Sequence, residues 1–180
     1  MIRLIRPEPA LLDAALEGDE TLARALGHDV VPGWATFTDA LRPKRDALGH
    51  EPGASAWGPR LFVTAEPPEL VGWGGFKGPP VGGVVELGYE IAALRQGRGL
   101  ATAATRALSA EAFADPTVTV VIAHTLPERN ASNRVLEKTG FRFDREARER
   151  DRVVWRFSLA RDESATRGRS TRREANVPPR

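Results

Sequence analysis

Leu94-Arg95-Gln96-Gly97-Arg98-Gly99-Leu100-Ala101-Thr102 is the stretch whose reading decides the fold. It follows an apolar, strand-like run from Val84 to Ile91 and opens an alanine-rich helical run from Gly99 to Phe113. Gly97 and Gly99 free the backbone to take positive φ, which other residues resist. Successive N–H groups can then point inward as an anion nest, and the helix that begins here adds its positive dipole end. Arg95 and Arg98 supply charge-assisted donors for phosphate oxygens. The segment reads as a pyrophosphate cradle, although a basic glycine turn also serves as a plain strand-to-helix connection. Two other phosphate motifs are excluded. A dinucleotide fingerprint wants a third small residue where Thr102 stands, and no Gly-Lys-Ser/Thr triplet of a Walker loop occurs.

Composition narrows the class. A chain of 180 residues is most naturally one domain with a sizeable core. Hydrophobic residues make up 41% and charged residues 28%, as in ordinary globular proteins. There is no cysteine, which excludes disulfides, thiolate zinc sites and cysteine nucleophiles. His28, His50 and His124 are far apart in sequence, so no metal is expected. Met1 to Pro7 is too short and too charged for a signal peptide, and no apolar run approaches spanning length, so the expectation is a cytoplasmic protein. Residues 161–180 hold six arginines against three acids, a local excess of +3, while the whole chain carries only +2. The expectation is therefore a domain over residues 1–160 and a basic, disordered tail over 161–180. That tail is either simply solvated or a weak electrostatic contact for RNA or ribosomes.

Along the chain, Ile2 to Ile5 predicts a first strand ended by Pro7. Pro9 to Glu17 predicts a helix capped by Gly18, and Asp19 is placed to N-cap a second helix that Gly27 ends. Trp34, Phe37 and Leu41 have helical spacing, with Pro43 expected to kink or break that helix. Leu61 to Ala65 and Leu70 to Phe76 bracket Glu66-Pro67-Pro68-Glu69 as a hairpin. The glycines of its second strand suggest a bulge or a close backbone approach. Val84 to Ile91 is the fourth strand and Thr117 to Thr125 the fifth, β-branched and buried. Asn130 can N-cap a short helix with Gly140 just past its end, before a final hairpin of Phe141 to Phe143 and Val153 to Phe157. The strand–helix–strand crossover around the glycine turn implies one parallel pair in a mostly antiparallel sheet.

That order, with Gln96-Gly97-Arg98-Gly99-Leu100-Ala101 after the fourth strand, resembles the GCN5-related N-acetyltransferase (GNAT) superfamily. Gln96, Gly99 and Ala101 fit its Gln/Arg-x-x-Gly-x-Gly/Ala signature. Asn130 to Phe141 resembles the Asn-x-x-Ser…Glu-Lys-x-Gly-Phe stretch of the branch holding the ribosomal-protein N-terminal acetyltransferases. Glu86-Leu87-Gly88-Tyr89 resembles that branch's strand-four motif. The resemblance covers about residues 60–145 and implies an α/β (α+β) fold. Its central sheet would be mixed and mostly antiparallel, of six to seven strands, with helices on both faces and the parallel strands four and five splayed apart. It also implies acetyl-CoA as co-substrate, with its diphosphate on the amides of Gln96, Gly97, Arg98, Gly99, Leu100 and Ala101, and pantetheine paired with backbone at Ile91, Ala92 and Ala93. Asn130 would reach the pantetheine arm, or act only as a helix cap; Ser132 lies beside it. The family often dimerises, and nothing in the sequence decides that here.

Amine acetylation asks for a neutral amine, a donor for the thioester oxygen and a proton for the departing thiolate. Lysine amines (reference pKa about 10.4) need a base more than α-amines (about 7.7–8) do. Period-two alternation puts Glu86, Gly88 and Glu90 on one face of the fourth strand. Glu86 is the base candidate, directly or through water, with a carboxylate on a wet face as the alternative. Glu90 reads as solvent-facing or as a contact for substrate charge. His124 can relay a proton near the thioester, or be structural. Many family members place a tyrosine acid where Leu136 stands, which cannot donate; Ser132 is the nearest hydroxyl, unless it only bonds backbone.

The function implied is an acyltransferase moving an acetyl group from acetyl-CoA to a primary amine. The rivals are a non-catalytic acyl-CoA-binding or sensing module, and an RNA- or ribosome-associated protein using the tail. The acceptor is open: a protein N-terminus, a lysine, an antibiotic or a small amine.

Overall fold

The computed structural model describes residues 1–161 apart from 37, 51 and 52; the expected tail therefore lies outside the described residues, except for Arg161. An N-terminal unit runs β1 (Ile2–Ile5), α1 (Pro9–Glu17), α2 (Asp19–Leu26), β2 (Asp29–Val30) and α3 (Arg42–His50). Next come β3 (Pro59–Thr64), β4 (Glu69–Phe76) and β5 (Val84–Ile91), then α4 (Leu100–Ala114), β6 (Val120–Thr125), α5 (Ala131–Lys138), β7 (Arg142–Glu149) and β8 (Arg152–Ala160). The strands form one sheet in the order β1-β3-β4-β5-β6-β8-β7, with the two-residue β2 pairing β4 beside that path. β5 and β6 are parallel and their neighbours on the main path antiparallel, as the crossover required. Strand β2 adds a second, two-residue parallel contact that nothing in its sequence announces.

Helices cover both faces. α4 lays Ala104, Leu108 and Ala112 on the sheet at i, i+4, i+8, and its small alanines let it sit close against Val85, Leu87 and Ile91. On the other face Leu12, Leu22, Trp34 and Leu41 pack against Leu61, Val63 and Leu70. Gly72 and Gly74 of β4 are required by close approach: a Cβ there would lie 2.2 Å from the Glu90 carbonyl oxygen and 2.3 Å from that of Gly88. A bulge also occurs in β4: Phe62 and Val63 of β3 face Gly72 and Leu70, which leaves Val71 as the extra residue.

Two local expectations are corrected. Pro43 does not break a helix; it is the second residue of α3, where its missing N–H has no helical partner to lose. The stretch before it is bends and a short 3-10 turn over Thr38–Leu41. Gly18, rather than Asp19, is the N-cap of α2, and the Asp19 carboxylate instead accepts from Trp34 Nε1 at 3.0 Å. Arg161 closes the domain: its backbone N–H donates to Thr119, and its guanidinium donates to the Val118 and Asp115 carbonyls and stacks on Phe113.

Candidate active site

The parallel pairing of β5 and β6 is brief: Val84, Val85 and Glu86 face Val120, Val121 and Ile122, and no register continues beyond them. The strands then diverge. On its other side β5 stays paired with β4, and the Ala92 N–H bonds to the Val71 carbonyl. Antiparallel alternation follows from that bond: Tyr89 and Ile91 occupy non-hydrogen-bonded positions and turn their N–H and C=O groups into the opening. The Gln96 side chain takes the Ile91 carbonyl at 3.0 Å. This leaves the Ile91 N–H and both Tyr89 backbone groups exposed along the split.

The glycine coil lies at the end of that split. Gly97 (φ 74°) and Gly99 (φ 76°) are left-handed, and Gly99 is the N-cap of α4. The Gln96 N–H, expected in the cradle, is instead bonded to the Ala93 carbonyl at 3.3 Å, whereas the amides of Gly97, Arg98, Gly99, Leu100, Ala101 and Thr102 have no hydrogen-bond acceptor among the described residues. Six adjacent donors in a left-handed coil at a helix start form an anion nest. A cleft of about 500 Å³ runs from this coil along β5 to α5.

Of the residues expected to bind, Ile91, Arg95, Gln96, Gly97, Gly99, Ala101 and Ser132 line the cleft, whereas Ala92, Ala93, Arg98, Leu100 and Asn130 do not. Arg95 is not a free phosphate donor: Glu69 holds its guanidinium with two bonds of 2.9 and 2.8 Å. Those bonds hold the Glu69 carboxyl below its usual range and raise Arg95, so the pair anchors the coil to β4. Asn130 caps α5 by accepting from the Asn133 N–H at 3.1 Å. It stands two residues before Ser132, one short of the expected spacing. Free cations come instead from α5, where Arg134 and Lys138, one turn apart, line the cleft without an ion pair among the described residues. Their i, i+4 spacing was the available signal, but only the packing of α5 tells which way that face looks.

Of the three residues expected to be catalytic, Glu86 and His124 come together and Ser132 stands apart. Glu86, at the vertex of the split, accepts from His124 Nδ1 at 2.9 Å and pairs with the Lys77 ammonium. Glu149 joins the group, 2.8 Å from Lys77 and 3.1 Å from His124. Burial works against the Lys77 charge, but the Glu149 and Glu86 carboxylates outweigh it and raise its pKa; Lys77 in turn lowers that of Glu149. Glu86, His124 and Glu149 are close enough to ligate a cation, their nearest ligand atoms within 4.8 Å, and the Lys77 ammonium meets both carboxylates. Ser132 is elsewhere, at the start of α5, and its carbonyl accepts from the Tyr89 hydroxyl at 3.4 Å.

Glu90 is the acid at the cleft. It is four residues from Glu86 on the same face, about 13 Å along the strand at the usual rise. Its Oε1 accepts from Trp73 Nε1 at 2.5 Å and from the Thr36 N–H at 2.8 Å, while Oε2 has no partner among the described residues. Beside it, burial pushes the Tyr89 phenol up to about 12, so this hydroxyl keeps its proton.

The sequence pattern of the acetyltransferase (GNAT) domain matches residues 2–142. The chain belongs to the GNAT acetyltransferase family. It is an N-acetyltransferase, and the co-substrate of this family is acetyl-CoA. Among GNAT relatives, the uncharacterized N-acetyltransferase YjdG of Bacillus subtilis (strain 168) is 28% identical over 143 residues, 78% of this chain and 85% of its own length. The ribosomal-protein-S5-alanine acetyltransferase of Vibrio fischeri superposes with a TM-score of 0.65 at 15% identity, covering 90% of this chain and 93% of that one. Aminoglycoside acetyltransferase AAC(6')-Ib, solved with coenzyme A and kanamycin, gives 0.65 at 20% identity over 94% of this chain and 99% of its own. These likenesses are of fold. One GNAT feature is missing: Leu136, where many members carry a tyrosine, is fully buried and contributes only packing. No helix of the described residues is long and apolar enough to cross a membrane.

Proposed function

We propose that this chain acetylates a primary amine by direct attack within a ternary complex, with the diphosphate of acetyl-CoA on the Gly97–Thr102 amides. The row of six unbonded donors carries the reading, because exposed amides in a nest are satisfied by an anion at little cost in reorganisation. Arg134 and Lys138 add charge for the phosphates. The Ile91 N–H and the Tyr89 backbone groups offer the pantetheine arm a strand-like edge, and an N–H there faces the oxygen on which charge builds. Acetyl-CoA supplies an activated acyl group on a thiol leaving group.

The amine is received by Glu90, whose free Oε2 takes its proton while Trp73 and Thr36 hold Oε1 still. Tyr89 is a hydrogen-bond donor to the leaving sulfur rather than an acid: its one hydroxyl proton turns from the Ser132 carbonyl to the sulfur in the ternary complex, and a phenol near 12 does not surrender that proton to a thiolate of about 8.5. Glu86 and His124 fix the vertex where β5 and β6 part, Ser132 orients Tyr89 through its carbonyl, and Asn130 starts α5. The catalytic unit reaches Arg161 rather than ending at 160, and limited proteolysis leaving a fragment that ends near there checks the boundary. The setting is cytoplasmic, where acetyl-CoA is made.

Gly99→Val tests the nest. A left-handed residue other than glycine costs about 1–2 kcal/mol, more when β-branched. The acetyl-CoA Kd measured by calorimetry should rise at least tenfold while the circular dichroism of the fold is retained. An unchanged Kd rejects the nest as the diphosphate site.

A further inference from the structure

A second cavity of about 280 Å³ lies on the sheet face opposite α4, and it shares Tyr89 and Glu90 with the cleft. Its walls are mostly apolar: Trp73 and Pro59 stand around a floor of glycine backbone, and Phe76 lends only its backbone because its ring packs on the α4 face. Glu90 is the single acid in the lining, and its free Oε2 is the one carboxylate oxygen the cavity offers to a cation. The nearby acids Glu86 and Glu149 are turned to Lys77 and His124. Two lysines, Lys44 and Lys77, are also part of the lining.

Resting on the acetyltransferase reading above, we infer that the acceptor is a small primary amine bearing one positive charge on a compact apolar body, held in this cavity with its nitrogen at Glu90. The charge count decides against a polycation. Its first ammonium would pair with Glu90, and the others would lie against tryptophan and proline with no second acid in the lining, where burying an unpaired charge is costly. An apolar body instead gains from leaving water. The volume is at the lower limit of small-molecule sites, suited to a body of single-ring size. The cavity also opens onto the point where β5 exposes the Tyr89 backbone, so an amine seated there approaches the thioester from the side opposite the coenzyme.

Gly88 provides the test. It has an ordinary φ, and a Cβ built on it meets nothing within 4 Å. Gly88→Val therefore places its side chain in open space over the floor without straining the backbone. Thiol release from acetyl-CoA is to be measured with phenethylamine, kanamycin and an alanine-initiated peptide as acceptors, and acetyl-CoA binding separately by calorimetry. The expected result is that phenethylamine has the highest kcat/KM, and that Gly88→Val raises its KM at least tenfold with the acetyl-CoA Kd unchanged. Preference for kanamycin or for the peptide overturns the inference, as does a phenethylamine KM indifferent to Gly88→Val. If acetyl-CoA itself fails to bind, the underlying reading falls instead, so the two failures are distinguishable.

Discussion

Glu90→Gln is expected to lower kcat for acetyl transfer by about 10²–10⁴-fold, the usual worth of a positioned general base, with acetyl-CoA affinity unchanged. The substitution keeps the shape and an acceptor oxygen for Trp73 Nε1 and the Thr36 N–H, so Trp73 and Thr36 stay in place. What is lost is the negative Oε2, the group that both attracts the ammonium and takes its proton. Amines of reference pKa about 10.4 are almost wholly protonated at neutral pH, so the loss should shrink as the assay pH rises. That pH response separates a lost base from a distorted pocket, which would depress the rate equally at every pH. Glu86→Gln is the control, since its carboxylate is engaged by Lys77 and His124. A larger loss in Glu86→Gln than in Glu90→Gln would return the base to the vertex of the split.

Glu111→Gln is expected to be the most damaging single change to stability outside the apolar core. Arg60 is fully buried, its guanidinium bonded to the Ser55, Ala56, Gly58 and Pro59 carbonyls and to both Glu111 oxygens. Arg6 pairs with the same carboxylate from the surface. Removing one partner of a buried pair costs about 3–5 kcal/mol. Glu111 keeps some exposure, which puts the loss at the lower end, and a domain of this size would melt roughly 6–12 °C lower. Burial alone would raise the Glu111 pKa, but the Arg60 and Arg6 bonds outweigh it and leave it lowered. A depressed carboxyl contributes stability that is present above the unfolded pKa, about 4.3, and lost as pH falls through the folded value. The gap in melting temperature between wild type and variant should therefore be full at pH 7 and close in acid. A gap that is constant down to acid pH would mean that the charge is not what Glu111 contributes.

The fold was legible where local chemistry leaves little choice. Gly97 and Gly99 announce a left-handed coil, alanine spacing announces α4, and Glu66-Pro67-Pro68 announces a turn, with Glu69 already the first residue of β4. Pro43 misled because the same residue ends a helix from inside and begins one from its first turn; which applies depends on whether Thr38–Leu41 continues the helix, and it does not. The site was half legible. The amides of the coil belong to a contiguous stretch and can be read as such. Glu90 cannot, because its task is set by Trp73 and Thr36, which lie 17 and 54 residues away in the chain. Arg95 likewise looks like a phosphate ligand until Glu69, 26 residues earlier, is seen to hold it. Arg134 and Lys138 gain a role only once α5 is docked against the cleft.

Backbone amide resonances of Gly97 to Thr102, followed while acetyl-CoA and then S-acetylpantetheine are titrated in, test the central claim most directly. The two ligands share the thioester and the pantetheine arm, and only the first carries a diphosphate. All six amides should shift and saturate with acetyl-CoA and stay in place with S-acetylpantetheine. If acetyl-CoA binds and those six signals do not move, the coil is an ordinary connection and the diphosphate is held elsewhere.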